Sequence, residues 1–244
     1  MHNFNRMLVT FICVSSVLLV GCSEDGFEAI QDPNTISVTT NPGVISQKHF
    51  SVTASDLFPA VLDTINETYT ETEVTINVRI GDRDNLSITS PHTVEFRTEF
   101  GLINPNTCQT DENGTCSVTW LADDYPAVGG PGSDYLVTIT AFAFGEEEFT
   151  DTNGNSIFDD GDAGFEDLEE PYVDANGNDI FDFGDTIIDV VSTNDSTGQN
   201  LQHDINDGFF NGGGCTHSSL CAARPSIAVW DDVTLRIDGP PAAP

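Results

Sequence analysis

Hydrophobic and polar residues alternate with a period of two in five segments of the chain. The apolar positions of these segments are Val74, Ile76, Val78 and Ile80; Val94 and Phe96; Cys116, Val118 and Trp120; Val137, Ile139 and Ala141; and Ile227, Val229, Val233, Leu235 and Ile237, the last set broken by Asp231. Such alternation is typical of strands with one buried face, because successive side chains point to opposite faces of a sheet. Short strands separated by Gly, Pro, Asn and Asp turns predict an all-β protein, specifically an antiparallel β-sandwich.

Three of these segments resemble successive strands of bacterial Ig-like domains of the invasin/intimin type. They are HTVEFRTEFGLI (residues 92–103), TDENGTCSVTW (110–120) and DYLVTITAFA (134–143). The resemblance covers roughly residues 70–145, with weaker strands from Thr35. It implies an Ig-like sandwich that serves as a rod-like spacer or presentation module on the cell exterior, and it implies no active site.

A twelve-residue acidic motif occurs twice after these strands. DTNGNSIFDDGD (residues 151–162) and DANGNDIFDFGD (174–185) agree at nine positions. Calcium takes about six to eight oxygen ligands, and a loop of this length supplies them from positions 1, 3, 5, 7, 9 and 12, with position 7 acting through its carbonyl. The predicted Ca²⁺ ligands are Asp151, Asn153, Asn155, Ile157, Asp159 and Asp162 in the first loop, and Asp174, Asn176, Asn178, Ile180, Asp182 and Asp185 in the second.

The motif resembles the duplicated calcium loops of dockerins, with Asn at position 3, Gly at 4 and Asp at 12. EF-hands instead have Gly at position 6, where this chain has Ser156 and Asp179. No Leu/Lys-rich helix follows either loop, so the resemblance covers the loops alone and does not imply cohesin binding. At position 8, Phe158 and Phe181 are expected to attach each loop to nearby apolar surface or to each other. The alternative is that these Asp-Asn-Gly clusters are ordinary turns.

The charge distribution indicates that the acidic segment either binds cations or stays expanded by self-repulsion. The chain has 40 acidic and 7 basic residues, a formal net charge of −33, and residues 146–189 hold sixteen of the acids. No Lys or Arg lies between Arg97 and Arg224. Such a polyanion repels nucleic acid, because phosphates need cationic partners. An acidic surface suited to salty water is the alternative, but it does not explain a repeated pattern.

The spacing of the cysteines favours two local disulfides, Cys108–Cys116 and Cys215–Cys221. Asn113-Gly114 lies between the first two and predicts a type I′ hairpin, whose paired strands would place the two cysteines face to face. The alternative for the second pair is a zinc site, although its spacing matches no common zinc signature. Its ligands would be Cys215, His217, Cys221 and His203.

The N-terminal segment predicts a secreted, lipid-anchored protein. Met7 to Val20 is a 14-residue apolar run, which fits a signal peptide and is shorter than the ~20 residues that span a bilayer. Leu19-Val20-Gly21-Cys22 resembles the lipobox of bacterial lipoproteins, in which the chain is cut before the Cys and the thiol is acylated. The resemblance implies membrane anchoring through Cys22 in the bacterial cell envelope, and Ser23 favours the outer membrane. An ordinary secretory signal is the alternative.

These patterns divide the chain into five parts. We expect a lipoprotein signal peptide at residues 1–21, a tether at 22–34, the Ig-like β-sandwich at 35–145 and the tandem calcium-binding loops at 146–190. Residues 191–244 would form a Gly/Asn-rich loop with a disulfide and a final strand. That strand is expected to return to the sandwich, because alone it could not bury its apolar face. Two independent domains are the alternative.

The sequence predicts function only in broad terms. It contains no nucleophile-elbow, zinc-protease or phosphate-loop motif, so we expect no enzymatic activity. The leading interpretation is a non-catalytic, calcium-stabilised, lipid-anchored surface protein that acts as an adhesion-like, presentation or spacer module with a protein or glycan partner. The alternative is a subunit of an envelope or extracellular assembly that is engaged through its calcium loops.

Overall fold

The computed structural model describes residues 43–63, 68–69, 71–122, 132, 134–190 and 200–238. All of these lie in a compact unit that spans Val38–Pro244. The predicted signal peptide, the predicted lipidation site Cys22 and the predicted tether fall outside the described residues. Within the described part of the chain, no helix has the length and apolar character needed to cross a membrane.

The described residues form thirteen strands and one short 3-10 helix, which confirms the all-β prediction. The strands are β1 (Ile45–Ser46), β2 (Ser51–Ala54), β3 (Leu62–Asp63), β4 (Thr68–Tyr69), β5 (Thr72–Arg79), β6 (Thr93–Thr98), β7 (Leu102–Ile103), β8 (Thr107–Gln109), β9 (Thr115–Ala122), β10 (Leu136–Glu146), β11 (Tyr172–Val173), β12 (Thr186–Ile187) and β13 (Ile227–Arg236). The 3-10 helix is Gln47–His49.

Nine of these strands form two larger sheets. In the five-stranded sheet, β10 pairs with β1, β6 and β13, and β8 adds to β6. The four-stranded sheet has the order β2-β5-β9-β7. Every pair in the two sheets is antiparallel except β1 with β10. Two short ladders, β3 with β4 and β11 with β12, complete the pairing of the thirteen strands.

The two larger sheets contribute side chains to one hydrophobic core. The alternation in the sequence places one face of each strand in this core. On β5, Val74, Ile76 and Val78 are at most 1% exposed, while the residues between them face solvent. Trp120 of the four-stranded sheet and Phe96 of the five-stranded sheet are among the largest fully buried side chains. The Trp120 indole N–H donates to the Phe100 carbonyl at 2.8 Å, so this buried polar group is satisfied.

The last strand pairs with β10 along its whole length, from Leu136 opposite Arg236 to Gly145 opposite Ile227. This pairing buries Val229 and Leu235 completely. Asp231, which breaks the apolar pattern of β13, accepts a hydrogen bond from the backbone N–H of Val52 at 2.9 Å. Asp231 thus links the five-stranded sheet to β2 of the four-stranded sheet.

The predicted type I′ hairpin between Cys108 and Cys116 is wrong, although the disulfide itself is present. Cys108 lies on β8, which pairs with β6, whereas Cys116 lies on β9, which pairs with β5. The bond therefore links the two sheets. The turn closes through Gly114 N–H to the Asp111 carbonyl at 3.0 Å and Asp111 N–H to the Thr115 carbonyl at 2.9 Å. Of its residues only Gly114 is left-handed (φ +71°), whereas a type I′ turn needs a positive φ at both central residues.

Strand β13 pairs only with β10 among the described strands, so its other side is a sheet edge. The side-chain amide of Gln47 lies against this edge. Its Nε2 donates to the Trp230 carbonyl at 2.9 Å, and its Oε1 accepts from the Trp230 N–H at 3.0 Å. One side chain thereby satisfies both backbone groups of Trp230, which a neighbouring strand would otherwise pair.

Candidate functional site

The acidic segment after β10 packs against the outer face of the five-stranded sheet. Val173 and Ile188 form a second hydrophobic cluster with Phe142 of β10 and with Trp230 of β13. The Thr140 hydroxyl donates to the carbonyl of Tyr172 at 2.8 Å. The ladder of β11 with β12 encloses the second acidic loop. The segment that carries both repeats is therefore held by apolar contacts as well as hydrogen bonds.

In the first loop, the carboxylates at positions 1 and 12 hold the two ends of the loop. Asp151 accepts backbone N–H groups from Gly154 at 2.7 Å and Ser156 at 2.8 Å. Asp162 accepts the N–H of Thr152 at 2.9 Å, ten residues earlier, and that of Asp159 at 2.9 Å. These bonds close the twelve residues into a ring.

The second loop repeats this bonding at the equivalent positions. Asp174 accepts the N–H groups of Gly177 and Asp179, both at 2.7 Å. Asp185 accepts those of Ala175 at 2.9 Å and Asp182 at 2.7 Å. The similarity of the two motifs in sequence is thus matched by equivalent hydrogen bonds in the two loops.

Both loops also share an unusual backbone at positions 4 and 6. Gly154 and Gly177 have φ of +73° and +66°, whereas Ser156 and Asp179 have φ of +57° and +59°. The left-handed region suits glycine, and a residue with a Cβ pays a conformational cost there. Position 6, where EF-hands have Gly, keeps the left-handed conformation in this chain although the residue differs.

At the centre of each loop, amide nitrogens face the carboxylate at position 9. In the first loop, Asn153 and Asn155 donate through Nδ2 to Asp159 at 3.1 Å and 2.8 Å. In the second, Asn176 and Asn178 donate to Asp182 at 3.0 Å and 2.9 Å. A bound cation would require the amide oxygens in place of these nitrogens, so the amide groups would have to turn.

The predicted carbonyl ligands have no hydrogen-bond donor among the described residues, but no compact set of carboxylates surrounds a common point. Within the described residues, no donor bonds to the carbonyl oxygen of Ile157 or Ile180. No group of three or more His, Cys, Asp or Glu side chains in the same part of the chain is arranged to hold a metal ion. A cation in either loop would therefore depend on amide and carbonyl oxygens as much as on carboxylates.

The phenylalanines at position 8 attach the two loops to different places, and not to each other. Phe158 is 1% exposed and joins Phe149, Phe165 and Phe210 in an aromatic cluster. It also stacks on His217 at a ring-centroid distance of 5.1 Å. The second loop has a similar but shallower attachment. Its Phe181 is half-buried, stacks on His203 at 3.9 Å and meets Tyr172 edge-on at 5.5 Å.

The second disulfide covers the first loop. Cys215 and Cys221 are bonded to each other with a Cα–Cα distance of 5.8 Å, in agreement with the predicted local pairing. Asp160 of the first loop accepts the N–H of Ser218 at 2.9 Å and its hydroxyl at 2.8 Å. Since both thiols are used in the disulfide, the alternative zinc site has no thiolate ligand and is wrong.

Arg83 connects the first loop to the five-stranded sheet, and no pattern in the sequence identified it. Its guanidinium binds Glu146 through two N–H···O bonds of 2.8 and 2.6 Å, and both side chains are almost completely buried. The same guanidinium donates to the carbonyls of Ser156 and Gly213 and lies 5.2 Å from the centre of the Phe149 ring. A distant base thus supplies positive charge where the acidic segment begins.

Glu147 lies next to this pair and has no basic partner among the described residues. Its carboxylate accepts the N–H groups of Leu168 at 2.8 Å and Asn211 at 2.7 Å, and the residue is 1% exposed. Burial raises the pKa of Glu147 to about 8; the neighbouring carboxylates Asp167 and Asp207 add to the increase, and the two N–H bonds oppose it. The side chain is therefore protonated at neutral pH.

We expect the free energy of unfolding to fall as the pH rises from about 4.5 to about 8. The pKa of Glu147 is higher in the folded state than its ordinary value of 4.5, so in this interval the unfolded chain releases a proton that the folded chain keeps. The stabilisation is complete below the lower value and is lost as the pH passes the upper one, by an amount on the order of a few kcal/mol.

The measurement is urea denaturation at about pH 5 and about pH 8 for the wild-type protein and for Glu147→Gln. Because glutamine does not titrate, the variant should lose less stability between the two conditions. Glu112→Gln, at an exposed carboxylate, is the control and should behave like the wild-type protein. Equal pH dependence in Glu147→Gln and the wild-type protein would contradict the assignment.

Comparisons of the chain with protein-family models, with curated proteins and with solved structures find no match.

Proposed function

We propose that this protein is a non-catalytic, calcium-stabilised, lipid-anchored protein of the bacterial cell envelope that acts as an adhesion-like, presentation or spacer module on an Ig-like β-sandwich. The observation that carries the proposal is the matched bonding of the two repeated loops. Carboxylates at positions 1 and 12 accept equivalent N–H groups in both copies, and in both copies the carbonyl at position 7 accepts no hydrogen bond from the described residues. Ordinary turns need no such correspondence over twelve residues.

The charge of the acidic segment supports a stabilising role for calcium. Residues 146–189 hold sixteen acidic residues. Among the described residues, Lys and Arg form ion pairs with only two of them, Glu146 and Glu148, and both precede the loops. Like charges ~4 Å apart repel by on the order of a few kcal/mol at an effective dielectric of about 20. A divalent ion in each loop would remove this repulsion, so that binding energy becomes folding energy.

The extracellular placement is supported by three features of different kinds. Two sheets that share one core are what an Ig-like sandwich requires. Two disulfides fit an oxidising compartment. The tetrapeptide that ends at Cys22 resembles a lipobox, which would attach the chain to a membrane through lipid.

Thermal unfolding with calcium and with a chelator tests the proposal. A ligand that binds only the folded protein stabilises it by about 2.7 kcal/mol per site when its concentration is about a hundred times its Kd. We therefore expect the melting temperature to rise with calcium concentration and to fall to a lower limit in chelator. Magnesium should have less effect, because it replaces its bound waters reluctantly.

Substitutions at the ends of each loop assign the effect to the repeats. Asp151→Asn with Asp162→Asn should remove the response of the first loop, and Asp174→Asn with Asp185→Asn that of the second. Each double variant should keep part of the calcium response, and the combination should keep none. The calcium proposal is wrong if the wild-type protein melts at the same temperature in both conditions.

A further inference from the structure

A cavity of about 380 Å³ lies between the acidic segment and the outer face of β13. This volume is within the usual range for sites that bind small molecules or single side chains. Its lining comes from the stretch before β11, from the second loop, from Asn206 and from β13. The lining residues that matter for its chemistry are Glu166, Asp167, Glu169, Asp174, Asp179 and Asp232, together with Tyr172 and Trp230.

The cavity has a strongly negative lining. Six carboxylate residues and no Lys, Arg or His contribute to it. Two of these carboxylates belong to the second loop and one, Asp232, to the sheet, so the negative charge surrounds the cavity from more than one element. Because an opposite charge stabilises such an arrangement most, the cavity favours a cationic occupant.

Two aromatic side chains give the cavity an apolar wall. The rings of Tyr172 and Trp230 are 5.2 Å apart and nearly perpendicular. The Trp230 indole N–H is already used, since it donates to the Glu169 carbonyl at 3.3 Å. Aromatic faces attract organic cations, because the ring quadrupole places negative charge on the face.

The hydroxyl group of Tyr172 is available in this cavity. The residue is only 3% exposed, yet none of the hydrogen bonds among the described residues involves its hydroxyl. Glu169, Asp174 and Asp179 line the same cavity. An occupant with a hydrogen-bonding group could therefore bond to this hydroxyl while its charge is balanced by the carboxylates.

We propose that this cavity binds an organic cation, an alkylammonium or guanidinium group held between the carboxylates and the faces of Tyr172 and Trp230. The source of the group is either a free amine or a Lys or Arg side chain of a partner protein. A bare metal ion fits less well, because no three of the described acidic side chains are arranged to coordinate one. This ligand site is separate from the structural role proposed for calcium.

The experiment measures the binding of two cations and their neutral counterparts by calorimetry, on the purified protein in ~0.15 M salt, where long-range attraction is screened. The cations are n-butylammonium and the peptide acetyl-Gly-Lys-Gly-amide. The counterparts are 1-butanol and the same peptide with Gln in place of Lys. Binding of both cations indicates that the head group is sufficient; binding of the peptide alone indicates a partner protein's side chain. Either result supports the proposal.

Tryptophan fluorescence locates the site. The chain has two tryptophans, and Trp120 is fully buried in the core, so a change on binding reports Trp230. Asp232→Asn and Glu169→Gln should each weaken binding by about tenfold. Trp230→Leu should weaken it by about three- to fivefold, through loss of the aromatic face.

Glu73→Gln is the matched control, because it removes one negative charge from an exposed position on the four-stranded sheet. The proposal is overturned if neither cation binds more tightly than its neutral counterpart. It is also overturned if Glu73→Gln weakens binding as much as Asp232→Asn, since that would indicate unspecific attraction to a polyanion.

The same titrations with calcium and with a chelator separate this proposal from the calcium proposal. If the cavity binds the cations but calcium does not change the melting temperature, the cavity assignment stands and the calcium role is refuted. A calcium-dependent melting temperature without amine binding would do the reverse.

Discussion

Replacement of Arg83 by Met is expected to lower the free energy of unfolding by about 3–5 kcal/mol. The substitution leaves the Glu146 carboxylate fully buried without its partner, and an unpaired buried charge is far more costly than a missing surface ion pair. It also removes the bonds that Arg83 makes to the carbonyls of Ser156 and Gly213. The first loop and the segment near the second disulfide should both loosen as a result.

Chemical denaturation measures the loss, and a second substitution shows its cause. Adding Glu146→Gln to Arg83→Met removes the unpaired charge, so the double variant should be more stable than Arg83→Met alone. Arg97→Met is the control, because Arg97 and its partner Glu95 are each about two-fifths exposed, and its cost should remain below about 1 kcal/mol. A loss in Arg83→Met no greater than in this control would contradict the assigned role.

Phe158→Ala is expected to cost about 3–5 kcal/mol, the usual range for a fully buried aromatic residue. Its ring lies 4.8 Å from that of Phe210 and 5.6 Å from that of Phe149, so its removal leaves a void in the aromatic cluster that attaches the first loop. The equivalent substitution in the second loop, Phe181→Ala, should cost roughly half as much, because less apolar surface is buried there.

Comparison of these two variants by denaturation tests the difference between the loops directly. Phe158→Leu should recover part of the stability, since leucine fills part of the void. Calcium titrations of both variants should show the larger change for Phe158→Ala. An equal or greater cost for Phe181→Ala would mean that the second loop is the better anchored of the two.

The sequence predicted the strands with a regular alternation and the internal repetition of the acidic loops. Val74, Ile76 and Val78 are buried because period-two patterning is a local property that the sheet preserves. The match between the loops follows from local bonds as well, since Asp151 and Asp174 bond to N–H groups only a few residues further along. Such short-range relations can be read from one sequence.

The long-range relations were not predictable in this way. Arg83 and Glu146 are 63 residues apart in sequence, and no local signal connects them. The link between Cys108 and Cys116 was predicted as a bond within one hairpin, because the Asn-Gly signal says how tightly the chain turns but not which sheet the next strand joins. Trp230 belongs to the outer face of β13, and its burial depends on a segment that arrives about 60 residues earlier in the chain.

The contact between Gln47 and Trp230 has a consequence for copies of the chain that lie side by side. An incoming strand could lengthen the five-stranded sheet at this end by pairing with the open side of β13, but the Gln47 amide already bonds the N–H and the carbonyl of Trp230 in the middle of that strand. An incoming strand would first have to displace the Gln47 side chain, which disfavours association of neighbouring molecules through this edge. The amide thus gives the edge a protection that other edge strands obtain from a charged residue.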